Sequence, residues 1–312
     1  MQPPFSTPIL FLIFNRPDTT QVVFDQMRKV QPKYLFVAGD GPRELVAGEH
    51  EKCEETRKII NQVDWDCEVK TLFRDKNLGC GIAVSSAITW FFSQVPEGII
   101  LEDDCYPDLS FFPYCEELLL KYRDVDQVKL IGGNNFQNGI TRGSGSYYFS
   151  HYPEIWGWAS WRRAWKEYDF TMSGLEESFA TGNLKDVFKT GRERKYWLAK
   201  FLQAKTGQTN TWDYQFMYSI LNNKGMAISP QYNLVKNIGI DNNPTHLSLQ
   251  DSHKDLKTNS LSFPLVHPDM NVDQDADLYT FLQIYSRSPQ RVLRLIKENG
   301  VKNFVLYTIN NL

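Results

Sequence analysis

The sequence predicts an α/β chain built on a doubly wound, mainly parallel sheet with a smaller second subdomain. Two observations carry this. Up to about residue 135, apolar runs of strand length alternate with segments whose apolar residues recur at helical spacing, the pattern of βαβ units. Polar residues gather directly after those runs, where sheets of this kind bind ligands. Composition agrees, since 312 residues with 42% apolar and 14% aromatic content can bury a sizeable core.

The elements follow in order. Residues 9–14 read as a first buried strand, far too short to cross a bilayer. Asp18 can cap a helix in which Val22, Val23, Met27 and Val30 fall at helical spacing. Residues 34–38 form a second strand, ending in the turn Gly39-Asp40-Gly41-Pro42. A charged helix over 49–61 leads to a third strand over 68–73. Gly79 and Gly81 open a helix through Ala83, Ala87, Ile88 and Phe91; a short strand over 98–101 and a helix over 109–122 come next.

The second half is less regular. In the aromatic run from Trp156 to Trp165, Trp158, Trp161 and Trp165 recur at helical spacing, which predicts core packing for the last two. Trp156 and Trp158 precede that helix in a Gly-containing turn, a setting suited to stacking on sugars. Asp213 opens a helix with Phe216, Met217, Ile220 and Leu221 on its buried side; an acid there also serves capping and the macrodipole, so both roles stand. Residues 237–246 carry turn chemistry and read as a long loop. Asp273, Asp275 and Asp277 read as a solvated acidic turn, and residues 288–297 as a surface helix.

Charge and cysteine usage narrow the class. Lys and Arg number 34 against 37 Asp and Glu, a net charge of -3, so generic binding to a nucleic-acid backbone finds no support. Residues 1–8 lack a signal-peptide pattern and no apolar stretch reads as an integral membrane segment, which leaves peripheral membrane contact open. Five cysteines without CxxC spacing point to reduced thiols and a cytoplasmic setting.

Glu102-Asp103-Asp104 is the informative motif. A solvated turn accounts for Asp40, but nothing in turn chemistry calls for three adjacent carboxylates after a buried strand. They repel one another, and a divalent cation relieves the repulsion; hard oxygen ligands suit Mg²⁺ or Mn²⁺ shared with substrate phosphates.

The stretch Ile99-Ile-Leu-Glu102-Asp103-Asp104, with Pro107-Asp108 and Phe111-Phe112-Pro113-Tyr114 after it, resembles the metal-binding segment of N-acetylglucosaminyltransferase I. The likeness runs as islands over roughly residues 8 to 255. Asn15-Arg16 resembles the arginine that reaches the donor diphosphate, and Asp40 the acid that reads the uracil ring. Trp156-Gly-Trp158 lies where that family lines its acceptor side. Trp212-Asp213 resembles its catalytic segment, and residues 230–246 its donor-closing loop, in which His246 reads equally as a diphosphate contact and as an exposed loop histidine. The resemblance implies an inverting glycosyltransferase of the GT-A type. Asp104 then binds Mn²⁺ or Mg²⁺, Glu102 and Asp103 contact ribose and donor sugar, and Asp213 is the base. It implies a nucleotide-sugar donor, UDP-N-acetylglucosamine first, and a glycan or small-molecule hydroxyl acceptor. The transferase unit is expected over residues 1–255, with a nucleotide-sugar half at 8–135, an acceptor and catalytic half at 136–255, and residues 256–312 packing on it as an extension.

Two departures bear on this. No histidine stands between Arg74 and Gly81, where the family has nucleobase contacts, and the family's eukaryotic members carry a membrane anchor and stem that have no counterpart ahead of the first strand. Two rivals are a nucleotidyltransferase that forms nucleotide sugars and a non-catalytic carbohydrate-binding protein. Against the first stands Phe14-Asn15-Arg16-Pro17, where such enzymes carry a Gly-rich basic loop; against the second stand the acidic triplet and Asp213.

Overall fold

The structure is a computed structural model and describes residues 5–181, 184, 187–239 and 256–286. Among the described residues the strands are β1 (Ile9–Ile13), β2 (Tyr34–Gly39), β3 (Glu68–Phe73), β4 (Glu97–Glu102), β5 (Cys105–Pro107), β6 (Val128–Gly132), β7 (Tyr147–Ser150), β8 (Trp158–Trp161), β9 (Met226–Pro230) and β10 (Val235–Asn237). Eight of them make one sheet in the order β3-β2-β1-β4-β8-β6-β9-β7. The four strands from β3 to β4 are parallel, as are β6 and β9; β8 and β7 run against their neighbours. β5 and β10 form a separate two-stranded antiparallel ribbon. The expected α/β class with a mainly parallel sheet is what the chain adopts.

Alternation along each strand loads both faces, because successive side chains point to opposite sides. From β1, Ile9, Phe11 and Ile13 join one core and Leu10 and Leu12 the other. Helices α1 (Pro17–Val30), α2 (Glu49–Lys58), α3 (Cys80–Gln94) and α4 (Phe111–Lys121) alternate with these strands. The first face is covered by α1 and α4 through Phe24, Met27, Phe111 and Leu118; α3 covers the second through Ala87, Ile88 and Phe91. Beyond the short α5 (Arg162–Trp165), helices α6 (Leu175–Thr181), α7 (Gly191–Lys205), α8 (Asp213–Asn222) and α9 (Gln274–Thr280) follow. α8 joins two layers: Phe216 and Ile220 pack on the sheet, while Met217, Tyr218 and Leu221 enter a third core with Trp197 and Phe201 of α7.

Several expectations are corrected. Pro17 takes the first position of α1 and Asp18 sits in its first turn, so Arg16, not Asp18, is the cap residue. Val22 faces solvent, because the register turns Val23, Phe24 and Met27 inward. Residues 158–161 form strand β8, not a helix: wedged between β4 and β6 with both faces covered, they send Trp158 to one core and Ala159 and Trp161 to the other. Asp277 is buried, accepting hydrogen bonds from Ser150 Oγ and the His151 N–H. The surface helix expected over 288–297 lies outside the described residues. Among the described residues no helix is long and apolar enough to cross a membrane.

Candidate active site

Parallel pairing aligns the carboxyl ends of β1, β2 and β4, and the polar residues after them meet there. Glu102 is paired with Leu12 at the end of β4, and Arg16 caps α1 just past β1. Arg16 Nη1 donates to Asp104 Oδ2 at 2.7 Å and lies 3.9 Å from Asp103 Oδ1. Asp103 is also held by the Phe14 N–H at 3.0 Å. The triplet and the arginine thus form one cluster.

Its electrostatics are unbalanced, with three carboxylates and one guanidinium. Burial pushes the Asp103 carboxyl up to about 7, repulsion from Asp104 adds to this, and Arg16 and the Phe14 N–H pull it back. Glu102 is raised by burial first, then by Asp104, Asp103 and Asp213. For Arg16, burial works against the charge but the carboxylates outweigh it and hold the guanidinium protonated.

Asp213, the first residue of α8, faces the cluster from the other half of the chain, close enough to raise Glu102. Its own pKa is raised by burial, and the Thr211 hydroxyl donates to its Oδ1. Cys80, opening α3, lies near Glu102, Asp213 and Asp40, and burial with those carboxylates pushes its thiol up to about 11. The α3 entry is pinned to the segment before Asp213, as the Gly81 N–H donates to Asn210 Oδ1 at 2.9 Å.

The remaining expected residues divide. Asp40 is committed to its loop: its carboxylate accepts from the backbone N–H groups of Gly41, Leu78 and Gly79 at 3.0–3.1 Å. Trp156 is half-buried at the same edge, its N–H held by Asn134 Oδ1 at 3.2 Å and its ring edge-on to Phe136. Trp158 is fully enclosed, stacked on Trp212 with centroids 5.6 Å apart, so its assignment to an acceptor surface is corrected: no ligand reaches a ring inside the core. His246 lies outside the described residues. The expected donor loop is described only up to Gly239, where it meets the cluster. Ile238 N–H donates to the Asp104 carbonyl at 2.8 Å, and a Cβ on Gly239 would fall 2.6 Å from Asp104 Oδ2 and 2.8 Å from Arg16 Nη1.

Two groups at this edge escaped the sequence reading. Asn134 follows β6, the same placement of a polar residue after a buried strand that marks the acidic triplet. Glu154 lies between β7 and β8 with no local signal. Burial lifts the Glu154 carboxyl to about 8, and hydrogen bonds from the Asn134 amide and the Tyr285 hydroxyl pull it back.

The fit to a cation rests on donor chemistry. Among the described residues no three His, Cys, Asp or Glu side chains converge as a complete metal cage. The triplet is an all-oxygen, charge-excess set, a donor chemistry that suits a hard divalent ion.

No family model and no curated protein sequence matches the chain. Among solved structures, it is similar to residues 1–349 of TarS from S. aureus at 9% identity, covering 73% of this chain and 59% of that one, with a TM-score of 0.39. It is also similar to mouse xyloside xylosyltransferase 1 in its apo form, at 11% identity, 70% and 82% coverage and a TM-score of 0.33. A third likeness is to 4-diphosphocytidyl-2C-methyl-D-erythritol synthase from Anaerococcus prevotii, at 8% identity, 63% and 84% coverage and a TM-score of 0.31. At these values none of them assigns an activity to this chain.

Proposed function

We propose that the chain is a glycosyltransferase of the GT-A type, moving a sugar from a nucleotide-diphosphate donor to a hydroxyl group. Within that class the reading is an inverting, divalent-metal-dependent enzyme for a UDP-sugar, with UDP-N-acetylglucosamine the first donor to test. The observation that carries it is the Arg16–Asp104 pair at the end of β4, with Glu102 and Asp103 beside it and Asp213 facing them from α8.

Inversion is a single in-line displacement. The acceptor oxygen forms a bond to the anomeric carbon as the bond to the diphosphate oxygen breaks, and the acceptor proton passes to a base. Asp213 takes that proton. Burial raises its affinity for it, and the Thr211 hydroxyl, free to rotate, steadies the carboxylate. Arg16 turns from Asp104 toward the incoming diphosphate, offering fixed positive charge where negative charge develops. Glu102 and Asp103 accept hydrogen bonds from ribose and donor sugar, Asp40 shapes the loop beneath the base, and Trp156 offers a face to the acceptor. Mn²⁺ or Mg²⁺ held by Asp104 would supply Lewis-acid stabilisation of the departing diphosphate.

The test is transfer and hydrolysis of a panel of nucleotide sugars with Mn²⁺, by the full chain and by Asp104→Asn and Asp213→Asn. Loss of a proton-transfer group removes about 10²–10⁴-fold, so Asp213→Asn is expected to lose at least the lower figure, and Asp104→Asn its dependence on Mn²⁺. Full activity in both variants overturns the site assignment.

A further inference from the structure

Helix α3 begins at a residue that cannot cap it. Its cap residue is Gly79, which has no side chain, so the first-turn N–H groups need acceptors from elsewhere. One acceptor comes from the other half of the chain: the Gly81 N–H donates to Asn210 Oδ1 at 2.9 Å. Glycine is a poor helix former, yet Gly81 stands in the first turn of α3 without the positive φ that would call for it. Space accounts for it instead. A Cβ at Gly81 would lie 2.8 Å from Asn210 Oδ1 and 2.9 Å from the Thr211 carbonyl oxygen. At Gly79, where φ is +75°, a Cβ would come within 2.5 Å of Asn210 Nδ2. Both glycines clear room for the same short segment.

Each side of this contact is anchored. The α3 entry is bound to the loop after β2, because the Asp40 carboxylate accepts from the Leu78 and Gly79 N–H groups and Asn77 Nδ2 donates to the Gly41 carbonyl at 2.8 Å. On the other side, Asn210 and Thr211 lead directly into Asp213. The Thr211 hydroxyl donates to Asp213 Oδ1, and the Thr211 carbonyl accepts from Gln215 Nε2 at 2.9 Å. The Trp212 carbonyl accepts from the Tyr168 hydroxyl at 3.2 Å. The Asn210–Gly81 bond thus joins a segment fixed on the first half of the chain to the segment that carries Asp213.

We propose that Asn210 is a positioning residue: by capping α3 through Gly81 it holds Asp213 in place opposite the Glu102–Asp104 cluster, and so sets the alignment of the base on the acceptor hydroxyl. It acts through Asp213 and touches no substrate. Geometry of this kind matters to rate, since a misplacement of about 1 Å can cost on the order of 10²-fold. The role rests on the glycosyltransferase reading and adds to it a residue outside the acidic cluster.

The test uses the full chain with Mn²⁺, the nucleotide-sugar panel for turnover and UDP as the probe of donor binding. Asn210 is exposed, so its truncation leaves the cores intact. Asn210→Ala is expected to lower kcat about tenfold or more, while donor KM and UDP affinity stay within about twofold. The rising limb of the pH–rate profile is expected to persist, because the base is misplaced and not lost. Asn210→Asp keeps an oxygen acceptor for the Gly81 N–H at a helix N-terminus and is expected to recover most of the rate. Gly81→Ala is the second variant. Propensity alone predicts a more stable helix with unchanged turnover, whereas the close approach of residues 210 and 211 predicts a fall in kcat like that of Asn210→Ala. In the free protein, amide exchange over residues 79–84 and 211–216 is expected to speed up together in Asn210→Ala. Faster exchange confined to one segment overturns the inference. So does turnover unchanged in both Asn210→Ala and Gly81→Ala, a loss that Asn210→Asp does not recover, or a loss that UDP affinity shares in equal measure. If the parent chain binds no UDP or turns over no member of the panel, the glycosyltransferase reading fails and the role of Asn210 falls with it. If the parent does both and the variants behave as the parent, the role of Asn210 fails alone.

Discussion

At the scale of single residues, Asp213 is the proposed base. Its folded pKa is raised by burial, so between the unfolded and folded values the native state binds the extra proton and stability declines as pH rises through that window. Activity runs the other way, because a base must be ionised. The groups around it are Glu102, Cys80, Tyr214 and Tyr168, and Glu102 adds like charge when ionised. The expected kcat/KM therefore rises with pH, with a midpoint above the ordinary aspartate value of about 3.9, measured as a pH–rate profile. Asp213→Asn is expected to abolish that limb and to melt at or above the parent temperature at pH 7. A fall in melting temperature would make Asp213 a structural acid.

At the scale of elements, β8 shows how a strand outranks a helical pattern. Trp158 packs on Trp212, Trp165 and Phe216, and Trp158→Ala is expected to cost about 3–5 kcal/mol, the range for large aromatic truncations in cores. Trp156→Ala, at the half-buried edge, is expected to change acceptor KM with a much smaller loss of stability; denaturant titration beside acceptor kinetics separates the two. The first four strands and their helices were legible because each apolar run is buried on both faces and bounded by turn residues. The tryptophan run misled because three-residue and four-residue spacings fit a helix, while the two antiparallel partners that make it a strand are distant in sequence. The acidic triplet was legible from repulsion alone. Glu154 was not, since a single acid in a loop becomes notable only when folding removes its water.

At the scale of the whole molecule, a net charge of -3 conceals an acidic cluster assembled from residues 16 and 102–104 and faced by residue 213. The sheet draws β8 and β9 of the later chain next to β4 and β6 of the earlier, so both halves share one sheet and the cores on its two faces. Among the described residues no group of three or more His, Cys, Asp or Glu side chains is placed to hold a metal ion by itself. Chelation is thus expected to stop transfer while leaving the melting temperature of the free protein unchanged, unlike a structural zinc site. Adding UDP with Mn²⁺ at one hundred times its Kd is expected to stabilise by about 2.7 kcal/mol, read by calorimetry. A melting temperature that falls on chelation alone would mark a structural ion instead.

The β5–β10 ribbon sets the order in which the site can come into being. Cys105 pairs with Asn237, and Ile238 fastens to the Asp104 carbonyl, so the acidic segment receives its last fixed neighbour only when that late stretch of chain is available. During synthesis from the N-terminus, the carboxylates emerge well before the ribbon strand that braces them and before Asp213. A ribosome-bound chain therefore carries the charged cluster for a time without that brace and without the proposed base.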